Sequence, residues 1–573
     1  MALDSAIPRE EPRSAGGGVL GTAWGRRLFW LVPFLLALLI MLPRLASPQF
    51  GLLDDGNSLR TARLLASGNW QLGDVAVGRS RPLYWLFWSL PYFFAGPNPF
   101  WYFLANLASL IALVACVVLV SRALGLGVLP SWLTAIIFLL DGPVVESFYT
   151  LSKGEPLQLI LILLALNLAL RSSTSKASRA GLAAWVLIPI LTFLAGITKE
   201  TVLVMLPISL AWVVAAYLGG SAPKSVDRSS LRSALVGFAV GGACFLIYRA
   251  ATVGPELLGT GYASGFQFSL ARILDSGSRW LAWILRDFSF LLPLSVMPVI
   301  WWRKREGPSR IDVLLGSMIW MSGWLAIFLP WLFVTEYYLL PFSLGAAIFG
   351  SVLAADAIAI LGHRSPVRTA TFVLLVLAGL LFCTNLINFS TTARLQLAVD
   401  ESNAAVIRFL ASEVPQTGTV IVNIQDPTEY VSQVGLHLAE FYNRTDVHVT
   451  YLDPAVFSQG SLPGDLFIAS PYIENQVLLS NRLGVYEPNM RTWTEAIAGF
   501  VRAHSQNIYH QRRTVRVFAF DPARAICPFF AGGGGFSVGG LPVESILRYC
   551  QGGSMIDRRE FLYGWDVYRL DLP

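Results

Sequence analysis

Long apolar runs recur along the first two thirds of the chain and stop near residue 390. Each run is close to the ~20 residues that a helix needs to cross a bilayer. The pattern predicts about eleven membrane-spanning helices, centred on 28–43, 99–121, 131–149, 156–170, 180–198, 201–218, 233–250, 280–301, 311–333, 337–361 and 368–389. The apolar stretch 83–96 is shorter and rich in aromatic residues, which is typical of a helix lying along the membrane surface.

The last third has a different pattern. Three strand-like runs, at 419–424, 447–452 and 465–470, lie among amphipathic stretches at 402–414 and 428–444. Alternating helices and strands predict a small α/β domain. The fold class predicted is therefore a polytopic α-helical membrane protein with a C-terminal extracytoplasmic α/β domain. Its predicted parts are a cytoplasmic tail (1–27), a membrane domain (28–390) with a first outer loop (44–98), and the C-terminal domain (391–573).

Composition supports the membrane assignment and charge orients it. The 573 residues are 54% hydrophobic and 14% charged, against roughly 25% charged in soluble domains. An N-terminus on the inside puts basic residues in every predicted inner loop, as the positive-inside rule requires. These residues are Arg26, Arg27, Arg122, Arg171, Lys176, Arg179, Lys224, Arg228, Arg232, Arg303, Lys304, Arg305, Arg310, Arg364 and Arg368. The net charge of +6 thus reflects topology, and no nucleic-acid partner is expected.

This orientation places several ionisable residues together on the outer side, at the ends of different helices. They are Asp54, Asp55, Lys153, Glu155, Lys199, Glu200 and Glu336. Charges near lipid are costly, so they usually line a polar cavity or mark a functional site. The N-terminal tail has no apolar core, so no cleaved signal peptide is expected. Cys527 and Cys550 both fall in the outer domain, where they could form a disulfide.

Asp54 and Asp55 open the stretch "DDGNSLRTARLLASGNW", soon after the first apolar run. An aspartate here can cap the helix that follows. It can equally serve as a general base held near the membrane interface, with its neighbour orienting it. The two interpretations are compatible, because a cap position holds a carboxylate firmly.

Three basic motifs lie on the same side. In "GRSRPLYW" (78–85), Arg81 and Tyr84 are typical of an interfacial anchor, but a guanidinium also suits a phosphate. Lys153 with Glu155 in "TLSKGEPLQ", and Lys199 with Glu200 in "GITKETVLVMLP", could be ordinary charged turns. Lys ammonium groups are nevertheless good phosphate binders. No metal-ligand spacing and no serine nucleophile elbow is present, so neither a metal nor a cofactor is predicted.

Taken together, these motifs resemble the GT-C integral-membrane glycosyltransferases, which use polyprenyl-phosphate sugars and include protein O-mannosyltransferases and the lipid A aminoarabinose transferase. The acid pair, Ala62-Arg63 and "ASGNW" are similar to the family's first outer loop, with an Asp in place of its second-position Glu. "SRPLYW", "SKGEPLQ" and "TKE" are similar to later family elements. The similarity covers roughly residues 28 to 220. Where relatives carry a basic residue before a late helix, "TEYYLLPF" has Glu336.

The resemblance implies a reaction. Asp54 would deprotonate an acceptor for inverting displacement at the anomeric carbon, with Asp55 beside it. Arg81, Lys199 and Lys153 would hold the donor phosphate, supported by Glu155, Glu200, Arg63 and Tyr84. The implied partners are a polyprenyl-phosphate sugar donor, membrane lipids, and an acceptor that is a lipid, a glycan or a protein.

Two other functions remain open at this level. A transporter or flippase of a lipid-linked sugar would also need many helices, but its site belongs near the membrane midplane and would carry an inverted repeat. A sensor with a ligand-binding outer domain would leave the motifs of the first outer loop unexplained.

Overall fold

The computed structural model describes residues 23–570 apart from these segments: 53, 71–77, 173–178, 219–227, 254–264, 304–309, 332–333, 363–365, 424–428, 452–464, 475–498, 500, 502, 521–523, 525–536, 539–540 and 543–555. The predicted N-terminal tail falls mainly outside the described residues. So do the glycine run at 532–535 and both Cys527 and Cys550, and the disulfide therefore stays a prediction.

The described residues are mainly helical. The helices are α1 (Ala23–Ala46), α2 (Asp55–Ala66), α3 (Pro82–Ala95), α4 (Pro99–Ala123), α5 (Val128–Leu139), α6 (Gly142–Tyr149), α7 (Glu155–Ser172), α8 (Arg179–Gly196), α9 (Met205–Leu218), α10 (Arg228–Val253), α11 (Leu270–Asp287), α12 (Leu291–Arg303), α13 (Ile311–Ala326), α14 (Leu340–Leu361), α15 (Arg368–Glu413) and α16 (Glu429–Tyr442). Short 3-10 helices at Glu200–Val204 and Glu336–Leu339 precede α9 and α14.

Each predicted span coincides with one of these helices or with a bent pair of them. Within the described residues, five helices are long and apolar enough to cross a membrane, or seven if each of two bent pairs is one span. Three shorter apolar helices lie at Trp30–Ala46, Ala184–Gly196 and Ile311–Ala326. The chain is a multi-pass helical membrane protein, and the count of eleven stays a prediction. The predicted surface helix is α3, which exposes Phe93 and Phe94.

The two bent pairs break next to buried acids. Helices α5 and α6 meet at 58°, and Asp141 lies in the break. Helices α11 and α12 meet at 83°, and Asp287 is the last residue of α11. Both carboxyl groups are fully or almost fully buried. The breaks therefore bring polar side chains to positions inside an otherwise apolar bundle.

Helix α15 differs from the sequence prediction. A span at 368–389 and a separate helix at 402–414 were expected, but residues Arg368–Glu413 form one helix of 46 residues. The boundary predicted at residue 391 falls inside it. The polar residues that suggested a break are instead satisfied by tertiary partners: Arg44 donates a hydrogen bond to Asp400 at 2.5 Å, and Ser47 donates one to Glu401 at 2.7 Å.

A five-stranded mixed sheet follows α15. Its strands are β1 (Thr419–Val422), β2 (His448–Tyr451), β3 (Leu466–Glu474), β4 (Ser505–Phe520) and β7 (Ile556–Leu570), in the order β2-β1-β3-β7-β4. β1 is parallel to β2 and β3, and β7 is antiparallel to β3 and β4. A separate two-stranded sheet pairs β5 (Ser537–Val538) with β6 (Leu541–Pro542). The first three strands and α16 lie where the sequence predicts them.

The sheet is packed against α15 and α16 by a single apolar cluster. Val422 and Phe467 of the sheet lie in this cluster with Leu438 of α16 and Val406 of α15. Asn403 of α15 accepts hydrogen bonds from the Trp565 indole at 3.0 Å and the Tyr563 hydroxyl at 2.6 Å. Burial of this apolar surface fixes α16 relative to the end of α15.

Candidate active site

The acid pair lies at the start of α2, and its two members have different surroundings. Asp54 precedes the helix in the left-handed conformation (φ 50°) and does not cap it with its side chain. A non-glycine residue in this region is uncommon, and such strain tends to occur at functional sites. Asp54 is partly exposed, whereas Asp55 is 2% exposed. The Asp55 carboxyl accepts a hydrogen bond from the amide of Gly51 at 2.8 Å, which lies outside the helix.

The segment before the acid pair is anchored to α15. Gly51 lies between two carboxyl groups, since a Cβ added there would be 3.2 Å from Asp400 and 3.5 Å from Asp55. Arg44, fully buried, neutralises Asp400 and lies 4.0 Å from the centre of the Phe103 ring. The end of α1, the acid-pair loop and the middle of α15 therefore form one buried polar contact.

Burial gives Asp55 an unusual titration. Burial raises the pKa of Asp55 to about 8. The hydrogen bond from Gly51 lowers this pKa, and the negative charge of Asp400 raises it further. The unfolded carboxyl loses its proton near its ordinary pKa of about 3.9. Between these values the folded state holds a proton that the unfolded state has lost. The contribution of Asp55 to stability is therefore fully present below about pH 4 and is lost as pH rises to about 8.

We expect Asp55→Asn to remove this pH dependence, because asparagine resembles the neutral carboxyl. The variant should gain stability relative to the unsubstituted protein as pH rises from 5 to 8. Thermal unfolding of both proteins in detergent at the two pH values measures the effect. If the melting temperatures of the two proteins differ by the same amount at pH 5 and at pH 8, the expectation is contradicted.

The predicted phosphate-binding residues come together near Tyr337. Lys199 forms an ion pair with Glu155, and both side chains are buried. The Lys199 ammonium lies 5.5 Å from the centre of the Tyr337 ring and 4.6 Å from that of Tyr338. The Lys153 ammonium lies 4.3 Å from the centre of the same Tyr337 ring. Two buried ammonium groups thus flank one aromatic ring.

Arg81 and Tyr84 join the first outer loop to these lysines. The Arg81 guanidinium lies 4.8 Å from the centre of the Tyr84 ring and is close enough for its charge to act on Lys199. The Tyr84 hydroxyl donates to the carbonyl of Ser152 at 2.9 Å, and the hydroxyl groups of Ser58 and Ser152 are 2.6 Å apart. We call Lys153, Lys199 and Arg81 the cation cluster.

Within the cation cluster, Lys153 provides the link to the acid pair, because its charge acts on Asp55. The same charge also acts on Glu146. Gly154, next to Lys153, lies close to the Thr198 carbonyl and to Tyr84, at 3.4 Å and 3.5 Å from where its Cβ would be. Glu200 begins its 3-10 helix and is partly exposed, and its charge acts on Lys199. These interactions join seven of the predicted site residues: Asp55, Arg81, Tyr84, Lys153, Glu155, Lys199 and Glu200. Asp54 is next to Asp55 in the chain, and its role in the site stays a prediction.

A group of buried carboxyl groups lies beside the cation cluster and was missed from the sequence, apart from Glu336. Glu146 accepts a hydrogen bond from the amide of Tyr337 at 2.9 Å. Arg286 pairs with Asp287 at 2.7 Å and lies 3.7 Å from Glu336. Gly142 packs directly against the Glu336 carboxyl. Asp141 and Asp287 could have been found in the sequence as acids inside apolar runs, because a charge there indicates a break in the helix.

Arg63 was predicted to support the site but lies at a different contact. Its guanidinium pairs with Glu440 of α16, with an Nε–Oε2 distance of 2.6 Å and a second bond of 2.9 Å. Helix α16 packs on α2 along this face. Gln433 of α16 accepts a hydrogen bond from the amide of Gly56, one residue after the acid pair. No local pattern predicts that α16 contacts the residue next to the acid pair.

Among the residues that the structure describes, no group of three or more His, Cys, Asp or Glu side chains is arranged to hold a metal ion. The prediction that the protein uses neither metal nor cofactor is not tested by this.

No protein-family model matches the sequence, and no curated protein is significantly similar to it. The chain is similar in fold to ArnT from Cupriavidus metallidurans bound to undecaprenyl phosphate (14% identity, TM-score 0.47, 80% of this chain and 95% of that chain). It is also similar to the archaeal oligosaccharyltransferase AglB from Archaeoglobus fulgidus in complex with an inhibitory peptide and a dolichol-phosphate (12%, 0.48, 78% and 70%). A third is the arabinofuranosyltransferase AftD from Mycobacteria (15%, 0.44, 96% and 40%). TM-scores below 0.5 are too low to assign an activity.

Proposed function

We propose that the chain is a GT-C-type membrane glycosyltransferase. It transfers a sugar from a polyprenyl-phosphate donor to an acceptor at the outer face of the membrane, with its N-terminus in the cytoplasm and its C-terminal domain outside. The observation that carries the proposal is the meeting of Lys153 and Lys199 on the Tyr337 ring, with Arg81 nearby and the acid pair adjoining.

The cation cluster suits a lipid phosphate. Like charges held close together in a buried region repel, and a bound dianion or monoanion relieves that repulsion. Among the residues that the structure describes, Lys199 forms its ion pair with Glu155, so a donor phosphate would share or replace that partner. Aromatic faces beside the ammonium groups keep them oriented while the phosphate enters and leaves.

The reaction follows from this arrangement. The acceptor oxygen or nitrogen attacks the anomeric carbon as the bond from that carbon to the phosphate oxygen breaks. The proton of the attacking acceptor group passes to Asp54, and the electrons of the broken bond leave with the polyprenyl phosphate. The cation cluster stabilises the charge that develops on the leaving phosphate. Attack opposite the leaving group inverts the anomeric centre.

We assign the base to Asp54 because a base must reach the acceptor. Asp54 is partly exposed and its side chain does not cap α2. Asp55 is almost fully buried, and burial raises its pKa to about 8, so it is mostly protonated at neutral pH. Its bond to Gly51 gives it the role of holding the acid-pair loop in place.

The test uses the purified full-length chain in lipid vesicles with a panel of polyprenyl-phosphate sugars labelled in the sugar. Release of polyprenyl phosphate together with sugar on a lipid, glycan or protein acceptor supports the proposal. Movement of intact donor across the bilayer without release would establish the flippase instead. If no donor in the panel shows either release of polyprenyl phosphate or movement across the bilayer, both the transferase and the flippase proposal lose their support.

We expect the double variant Lys199→Met, Glu155→Gln to bind the donor phosphate about 10- to 100-fold more weakly, since a bond to a charged group contributes about 1.5–3 kcal/mol. Removing both charges avoids leaving Glu155 buried alone, so the fold is retained. Binding of polyprenyl phosphate is compared with binding of uncharged polyprenol, which should not change. Equal weakening for both lipids would point to a general loss of structure.

A further inference from the structure

We infer that α16 of the C-terminal part positions the acid pair, with Gln433 and His437 as the residues that hold segment 51–56. The inference rests on the proposed function and deepens it: the outer domain would then be required for transfer and would not merely accompany the membrane domain. Gln433 and His437 act through the loop, so we treat them as positioning residues.

The first contact is at Gly56. Its amide donates to Gln433 Oε1 at 2.8 Å, and the Gln433 side chain is fully buried. No side chain fits at this position: a Cβ on Gly56 would be 2.6 Å from Gln433 Oε1, 2.8 Å from Leu436 Cβ and 3.1 Å from His437 Cδ2. A first-turn amide of α2 needs a partner from outside the helix, and Gln433 supplies it.

The second contact is at Gly51, on the other side of the acid pair. The backbone of Gly51 interacts with His437, while its amide is bonded to Asp55. His437 is buried, and burial lowers its pKa to about 4, so the ring is neutral at neutral pH. Phe50 packs against both the His437 and the Phe441 ring, with centroid distances of 6.5 Å and 4.9 Å. Helix α16 therefore holds the segment on both sides of Asp54.

A third contact fixes the direction of α2. Arg63, two turns beyond the acid pair, pairs with Glu440, whose side chain is 2% exposed. An adjoining face of α16 is buried in the sheet cluster through Val434 and Leu438. The acid pair is thus linked through one helix to the core of the C-terminal sheet. A shift of α16 by about 1 Å would move the base out of reach of the acceptor, which costs about 10²-fold in rate.

The test replaces Gln433 in the full-length protein. Gln433→Ala should lower kcat by about 10²-fold, leave donor binding within about 2-fold of the unsubstituted protein, and speed hydrogen exchange at the Gly56 amide. Gln433→Glu keeps an acceptor oxygen in the same place and should restore most of the activity. The control, Val434→Ala, removes a buried group on the adjoining face of the same helix, which packs on the sheet.

The control should lower thermal stability without a specific loss of kcat or of Gly56 protection. A Gly56→Ala variant tests the contact from the other side, and should reduce kcat although alanine is normally the better helix former. Normal kcat and unchanged Gly56 exchange in Gln433→Ala would overturn the inference while leaving the transferase proposal standing. The exchange measurement needs no activity, so it decides the inference even if no donor in the panel reacts.

Discussion

Replacing Asp54 with asparagine should lower the rate of sugar transfer by about 10²- to 10⁴-fold, the usual contribution of a general base. Asparagine keeps the shape of the side chain and removes its ability to take a proton. The donor phosphate is assigned to the cation cluster, so donor binding should remain within a few fold. The rate is measured by release of polyprenyl phosphate, and binding by a separate equilibrium assay.

Asp55→Asn is the matched control, because it changes the neighbouring residue by the same atoms. It should retain most activity near neutral pH, where the Asp55 carboxyl is already mostly protonated, since burial raises its pKa to about 8. Full activity in Asp54→Asn would refute the assignment. Loss confined to Asp55→Asn would transfer the role to Asp55.

The second large effect is expected at Arg44. Its guanidinium and the Asp400 carboxyl are both buried and lie 2.5 Å apart. Arg44→Met leaves Asp400 without its charged partner inside the protein, which typically destabilises by about 3–5 kcal/mol. The loss is expected to extend to the acid-pair loop, because Gly51 packs against Asp400. Unfolding of the detergent-solubilised protein, monitored by denaturant titration, measures it.

The double variant Arg44→Met, Asp400→Leu removes both charges and should recover most of the lost stability, since a buried ion pair can often be replaced by apolar groups at little cost. Ser47→Ala, which breaks the nearby bond to Glu401, provides a control at a partly buried site and should have a much smaller effect. A loss in Arg44→Met no larger than that of Ser47→Ala would show that the buried pair is not what joins α1 to α15.

The sequence by itself determined the positions of the apolar helices, because the length of an apolar run is set by the helix rise and the bilayer thickness. It also indicated which basic motifs belong to the same site. Lys153, Lys199 and Arg81 lie far apart in the chain. Their charges and the membrane topology put all three on the same side, and the family resemblance implied that they hold one phosphate. Three strands and α16 followed from local periodicity.

Strands β4 and β7 could not be found in this way. Their sequences, such as "SQNIYHQRRTVRVFAF", mix arginine, glutamine and apolar residues without a clean alternation. Their pairing is long-range and depends on side chains such as His510 and Arg512, both bonded to Asp566 across the strands. The continuity of α15 was missed for a similar reason: its polar residues near 400 are satisfied by Arg44, which is 356 residues away.

Only the tertiary structure decided how the two members of the acid pair differ. In the sequence Asp54 and Asp55 are adjacent and chemically identical. In the fold, the buried Asp55 carboxyl accepts a hydrogen bond from Gly51 and lies within reach of the charge of Asp400, whereas Asp54 is partly exposed. Burial and neighbouring charge set the properties of a carboxyl group, and both come from residues distant in the chain. The packing of α16 on α2 is also decided by the tertiary structure alone, because the complementarity between Gly56 and Gln433 exists only once both helices are in place.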